Sequence, residues 1–259
     1  MSFDDPDLIA CAGLVQRADP DRFRAAMAAP VAARAVLFPL FAANVEIARA
    51  PWVTQEEMIA EMRLQWWRDA MEEIAQGKTP RRHEVVTPLA RGIDAAGAAL
   101  LDGLIEARRW DIYRDPFADE AAFEDYLQKT SSNLLLAAVR ALGDGDEDVV
   151  RDLGYALGLA NYLRAIPALE KAGRVPLLDG RDDSVAALAR DGLERLKRAR
   201  ARRAQVSRTA APALLSAWAA APVLAQAAQQ PQRVKAGALG TSDFRNALSL
   251  MWRAQTLRW

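Results

Sequence analysis

Apolar residues recur at helical spacing along almost the whole of this chain, and the strict alternation of a half-buried strand is nearly absent. That single feature confines the fold to helices packed on helices. Residues 54–75 show it most clearly. Met58, Met62 and Trp66 are spaced by four, while Leu64, Trp67, Met71 and Ile74 follow at intervals of three and four. Thr54 and Glu57 have the spacing of a capping box, and Gly77 supplies a stop. Trp66 and Trp67 are adjacent, so they point to different faces, one into the core and one towards a neighbouring helix. Further helices are predicted at 21–28, 31–49, 95–114, 120–142, from about 147 towards 165, 184–208 and 242–258. An Ala-rich pair is expected within 210–228. Pro116, Gly143 and Pro167 mark boundaries, and loops fall at 77–82, 115–119, 143–146 and 173–183. Seven to nine helices with short connections form an all-α helical bundle. No linker-like stretch divides the 259 residues, so 1–259 reads as a single domain.

Much chemistry is excluded by what the chain lacks. The formal net charge is zero, so nothing global recruits nucleic acid or an anionic membrane. A lone cysteine, Cys11, cannot form an internal disulfide and reads as a small core residue. The acidic first residues are unlike a secretory or transit peptide, and the apolar runs are too interrupted to predict a transmembrane helix. The expected location is therefore cytoplasmic, with at most peripheral contact with the inner membrane. His83 is the single histidine, flanked by Arg82 and Glu84, and is expected to be solvated in a loop. Neither a Gly-x-Ser-x-Gly elbow nor a dinucleotide fingerprint is present, and Gly77-Lys78-Thr79 lacks the earlier glycine of a phosphate loop. Asp111 and Asp115 have the i, i+4 spacing of a shared metal site, but Pro116 assigns Asp115 to a helix end or turn. The basic run from Arg195 to Arg203 reads as a solvated helix carrying local positive charge, with phosphate or anionic lipid contact as the alternative. Phe244, Leu248, Met251, Trp252 and Trp259 form an apolar stripe expected to pack on the domain, the alternative being a partner surface.

Several segments carry a family likeness. Phe38-Pro39-Leu40-Phe41-Ala42-Ala43-Asn44-Val45-Glu46-Ile47-Ala48-Arg49, then Glu61-Met62-Arg63-Leu64-Gln65-Trp66-Trp67-Arg68, are joined by Asp111-Ile112-Tyr113 and Tyr126. Gly158-Leu159-Ala160-Asn161-Tyr162-Leu163-Arg164 and Gly173-Arg174 complete the set. In order and spacing, over about residues 19–178, these resemble the squalene/phytoene synthase family. The resemblance implies a terpenoid-synthase-like helical bundle. Active members hold Mg²⁺ between two aspartate-rich motifs on facing helices, and the ions compensate the diphosphate leaving group.

At both motif positions this chain departs from the pattern. The first reads Ala48-Arg49-Ala50-Pro51-Trp52 and the second Ala165-Ile166-Pro167-Ala168-Leu169. Those side chains offer no carboxylate oxygen, and a one-turn shift would recruit only Glu46 or Glu170 singly. Pro51 and Pro167 are expected to break the two helices. No catalytic residue, metal or cofactor is therefore assigned. A polar remnant stays: Glu61, Gln65 and Arg68 on one helix face, with Asn44, Glu46, Asp111, Asn161, Arg164 and Arg174 as candidates to line a central cavity. These side chains serve either as a buried hydrogen-bond network or as a residual ligand site. Phe-Ala-Ala-Asn-Val-Glu-Ile-Ala with Leu-Arg-Ala-Ile-Pro resembles a non-catalytic branch of the family that serves in respiratory complex I assembly. That likeness implies a helper protein with a protein partner, a respiratory complex subunit. The alternatives are a carrier for an isoprenoid or lipid ligand, and a prenyltransferase with a remodelled site.

Overall fold

A computed structural model describes residues 5–240 and 243–259, without the side chains of residues 243–248. Among the described residues there is no strand, only an isolated antiparallel bridge between Gly145 and Val206. The helices are α1 (Pro6–Ala18), α2 (Pro20–Ala28), α3 (Val31–Arg49), α4 (Glu57–Ala75), α5 (Val86–Gly92), α6 (Ala95–Ala107) and α7 (Glu120–Leu127). They continue with α8 (Asn133–Leu142), α9 (Glu147–Lys171), α10 (Asp182–Ala201), α11 (Ala211–Leu214), α12 (Ala220–Gln229), α13 (Gln232–Lys235) and α14 (Asp243–Thr256). Helix α9 is the axis of the bundle, and α8, α10 and α12 pack around it. It buries fourteen of its residues, among them Leu153, Tyr155, Leu159, Leu163 and Ile166. On the other side α1 lies on α3 and α4 lies on α6.

Aspartate side chains start five of these rods. Asp5, Asp19, Asp94, Asp119 and Asp146 each accept a backbone N–H in the first turn, and Pro6 and Pro20 occupy first helical positions where no donor is needed. Thr54 does not complete a capping box. Its hydroxyl accepts the Glu56 N–H at 3.1 Å, and α4 begins at Glu57 with no side-chain cap. The expected helix at 95–114 gives way to a 3-10 turn, Arg108–Asp111. The expected helix at 120–142 is α7 and α8 joined without interruption by a π-helical turn, Gln128–Ser132. That turn lies against α9 so closely that a Cβ on Gly154 would stand 2.5 Å from Ser132 Cα. Ser131 and Ser132 donate their hydroxyls to the Gly154 and Arg151 carbonyls at 2.7 and 3.1 Å.

The two prolines expected to break helices behave differently. α3 ends at Arg49 and Pro51 sits in a 3-10 turn, Ala50–Trp52, as predicted. α9 instead passes through Pro167 to Lys171. Its last turn is closed by Gly173 at φ 79°, with the Arg174 N–H donating to the Leu169 carbonyl at 3.0 Å. Pro167 forfeits one ladder bond, which burial of Ile166 and Leu169 on either side offsets.

Other expectations resolve plainly. Cys11 is fully buried, and burial pushes its thiol up to about 12, so it is an inert core residue. His83 lies in a loop as expected but is half-buried: its ring packs against Trp66 and Trp67 at 5.0 and 5.7 Å, and its Nδ1 accepts the Val85 N–H. Trp67 is buried, whereas Trp66 lies under Arg81. Residues 31–52 and 211–229 have the length and apolarity of a membrane span, but 61% and 67% of their apolar windows are buried within the bundle. Of the C-terminal stripe, Trp259 is buried, Met251 and Trp252 are exposed, and the side chains of Phe244 and Leu248 lie outside those described.

Candidate functional site

A cavity of about 1090 Å³ opens between α2 and α3 on one side and α9 with the π-turn on the other. Ala48 and Arg49 of α3, with Trp52 of the 3-10 turn that follows, form one wall, and Ala165, Ala168 and Leu169 of α9, with Ala172 just beyond it, form the other. One turn further along, Asn44 and Asn161 line the same space. Asn44 is 6% exposed, and its Oδ1 is buried without a hydrogen-bond partner.

The charges around the cavity are committed to one another. Asp19 caps α2 by accepting the Arg22 N–H at 3.0 Å and also pairs with the Arg22 guanidinium. Burial alone would push the Asp19 carboxyl up, but Arg22 more than compensates and holds it below the usual range. Asp21 accepts from Arg164 at 2.8 Å, which ties α2 to α9. Arg49 stands 3.9 Å from Glu46 at the mouth.

At the floor, Asp111 is 2% exposed and is gripped from two sides. Arg108 Nη1 donates to it at 2.9 Å, and the Tyr126 hydroxyl donates at 3.0 Å while accepting from Arg108 at 2.9 Å. Burial pushes the Tyr126 phenol well above its ordinary range, so it stays a neutral donor. Burial opposes the Arg108 charge, yet Tyr126 and Asp111 keep it protonated above its usual range. Arg174 donates to the backbone carbonyls of Trp110, Asp111 and Tyr113 and lies over the rings of Trp52 and Trp110. Trp110 and Phe117 stack at 4.0 Å beneath this network, and Tyr162 donates to the Pro176 carbonyl at 2.7 Å.

Of the residues singled out from sequence, Asn44, Asp111, Asn161 and Arg164 do line the cavity. Glu46 is placed beside it, paired with Arg49. Arg174 does not line it: the guanidinium is turned under the floor to hold the 110–113 backbone. Glu61, Gln65 and Arg68 face elsewhere, because α4 packs on α6 and not on α9. Glu61 meets Arg109 and Tyr113 at 3.0 Å, Gln65 bonds Asp69 at 2.7 Å, and Arg68 bridges Asp102 and Glu106 at 2.8 Å. Glu170 is exposed and lines a separate groove with Val175 and Arg181. Sequence reasoning missed Asp19, Asp21, Arg22 and Arg108. Asp19-Pro20 carried the signal, a cap residue followed by proline at the first helical position.

The donor set does not fit a magnesium-held diphosphate. Mg²⁺ requires hard oxygen ligands in near-octahedral array, and the facing walls present methyl groups, an isobutyl group, an indole and a guanidinium. Asp19, Asp21 and Asp111 line the cavity, but each is taken by an arginine. Among the described residues no group of three or more His, Cys, Asp or Glu side chains is placed to hold a metal ion.

Against solved structures, the fold matches a dehydrosqualene synthase in complex with ligand, with a TM-score of 0.72 and 14% identity over 96% of this chain and 95% of that one. It also matches the squalene synthase HpnC from Alicyclobacillus acidocaldarius, at 0.69 and 16% over 87% and 94%. In sequence the chain is 30% identical over 182 residues to the Drosophila melanogaster homolog of NADH dehydrogenase (ubiquinone) complex I, assembly factor 6, covering 64% of this chain and 53% of the relative. With the Homo sapiens assembly factor 6 it shares 25% over 162 residues, 61% and 48% of the two chains. The chain thus spans about half the length of the curated relatives it matches. The family model for squalene/phytoene synthase matches residues 15–244. A terpenoid-synthase-like bundle matched over nearly all its length leaves one conclusion: the chain belongs to the squalene/phytoene synthase family.

Proposed function

We propose that this chain is a non-catalytic member of its family that acts as an assembly or binding factor for a respiratory NADH dehydrogenase complex, in contact with a protein partner. One observation carries this reading. Both cavity walls that would have to present carboxylates to metal ions present Ala48, Arg49 and Trp52 against Ala165, Ala168 and Leu169. Ionising an allylic diphosphate there would leave the developing charge uncompensated. The likeness to complex I assembly factor 6 supplies the partner class. The proposed location is cytoplasmic, with at most peripheral contact with the inner membrane.

The test has two arms. Deleting the coding sequence in the native host should lower the amount of assembled NADH dehydrogenase on native gels and NADH-driven respiration with it. Unchanged levels of both would sink the assembly role. In vitro, the purified chain incubated with Mg²⁺ and farnesyl or geranylgeranyl diphosphate should release no diphosphate. Magnesium-dependent release would restore the prenyltransferase reading.

A second reading, an isoprenoid or lipid ligand, is favoured by the cavity itself. Its volume of about 1090 Å³ reaches the upper end of small-molecule sites, and the unpartnered Asn44 Oδ1 is a polar anchor within it. Native mass spectrometry of the purified chain checks this. A bound lipid lost on Asn44→Leu would support it, and a protein of bare polypeptide mass would count against it.

A further inference from the structure

The basic run at 195–203 has no part in the cavity, and most of its charges are neutralised locally. Arg195 pairs with Glu124 at 2.6 Å and lies 3.8 Å over the Tyr155 ring. Lys197 meets Glu194 at 3.6 Å, Arg198 meets Asp152 at 2.9 Å and Arg202 meets Asp146 at 3.1 Å. Arg200 and Arg203 are left over. Both are half-buried, and a third half-buried arginine, Arg253 from α14, joins them.

No acidic side chain among the described residues pairs with any of the three. Arg200 Nε donates to a main-chain oxygen of Trp259, the last residue of the sequence, at 3.2 Å, and Arg253 donates to Ser249 Oγ at 3.3 Å and to the Arg258 carbonyl at 3.4 Å. Arg200 Nη2 and Arg203 Nε are buried and have no acceptor. Burial first, and then repulsion from Arg253 and Arg203, pulls Arg200 down to about 10; burial and Arg203 depress Arg253 in the same direction. Like charges drawn partly out of water, with open N–H groups on Arg200 and Arg203, destabilise a fold wherever counter-charge falls short. Guanidinium forks match the oxygens of a phosphate group.

We propose that Arg200, Arg203 and Arg253 form a binding site for a phosphate-bearing anion, distinct from the central cavity. Beside it α14 exposes Met251 and Trp252, at 60% and 52%, with Arg258 lying over the indole at 5.8 Å. An apolar pair next to a phosphate site suits an anionic phospholipid headgroup, while a free phosphate would use the same three arginines.

The experiment uses the purified full chain and two probes. Inorganic phosphate is titrated calorimetrically, and vesicles of phosphatidylglycerol are compared with vesicles of phosphatidylcholine by flotation. Binding of at least one anionic probe is expected, weakened about tenfold or more in the double variant Arg203→Gln/Arg253→Gln. Arg198→Gln, which removes a paired charge of the same run, should leave binding unchanged. Phosphate binding identifies a free anion; phosphatidylglycerol binding alone, reduced by Trp252→Ser, identifies a headgroup. The double variant should melt no lower than the parent in probe-free buffer, because a repulsion has been relieved. The site is overturned if neither probe binds, if the double variant binds undiminished, or if Arg198→Gln weakens binding equally.

Discussion

Two regions of this molecule concentrate arginine, and they spend it differently. Around the cavity, Arg22, Arg108 and Arg164 each face an aspartate, and Tyr126 fills the remaining bond of Asp111. At the end of α10, Arg200 and Arg203 meet another arginine and no acidic side chain among the described residues; an open buried N–H is common to both regions, at Arg22 and Arg108 as at Arg200 and Arg203. A paired charge in a partly dry site holds elements together: Asp21–Arg164 fastens α2 to α9, and Arg108–Asp111–Tyr126 fastens the 3-10 turn to α7. An unpaired cluster works against the fold and waits for something negative. The difference teaches that the counting of arginines says little until each partner is known.

The comparison can be broken most sharply at the cavity floor. Asp111→Ala strands Arg108 in a buried site and should lower unfolding free energy by about 3–5 kcal/mol in urea titrations. The double variant Asp111→Leu/Arg108→Leu should recover a large part of that loss; an additive loss would mean that the pair is not coupled. Next, Asp19→Ala removes both the α2 cap and the half-buried Arg22 pair, and about 1–2 kcal/mol should go. An exposed pair calibrates the scale. Asp94 caps α6 and pairs with Arg140 at 2.8 Å, which, with the Gly97 N–H, lowers its carboxyl from the ordinary value of 3.8 to about 2. Its contribution is therefore complete above about pH 4 and lost as the pH falls through about 2. Asp94→Ala should cost roughly 1 kcal/mol at pH 7 and progressively less in acid, as read by thermal melts across that range. The smallest change should have the opposite sign. Arg203→Gln relieves repulsion and should raise the melting temperature by roughly 1–2 °C in phosphate-free buffer. A drop there would place Arg203 with the paired, structural arginines.

The sequence made the rods legible because their periodicity is local. The bounds of α3 agree with the pattern, and α4 and α9 start within a few residues of it. α1 is absent from the helices expected above, although Asp5-Pro6 and the spacing of Leu8, Cys11 and Val15 announce it: the same acidic start that is unlike a targeting peptide also caps a helix. Pro167 defeated the helix-breaking rule because tertiary burial outweighs one lost bond, whereas Pro51 falls where the helix had already ended. The cavity walls were readable from the motif positions, since four-residue spacing on a helix maps directly onto a face. Arg174 was not, because its partners are backbone carbonyls from residues some sixty positions away and leave no side-chain signature. Glu61, Gln65 and Arg68 do share one helix, but which neighbour α4 leans on is a matter of topology that spacing cannot supply.

The π-turn at Gln128–Ser132 bears on which changes of chain length this protein can accept. A π-helical turn widens the helix to accommodate an extra residue. Deleting one residue there would let α7 and α8 merge into one regular helix with their faces kept in phase, whereas a deletion within α7 would turn everything on one side of it by about 100°. The deletion within α7 would swing Tyr126 away from Asp111 or Phe123 away from Tyr162, so the cavity floor would be lost although neither residue had been altered. A deletion in the exposed 115–116 stretch would be absorbed by slack in the connection instead. Across natural variants of this chain, single-residue gaps should thus gather at the loops and at this turn and spare the rest of the apparently continuous helix.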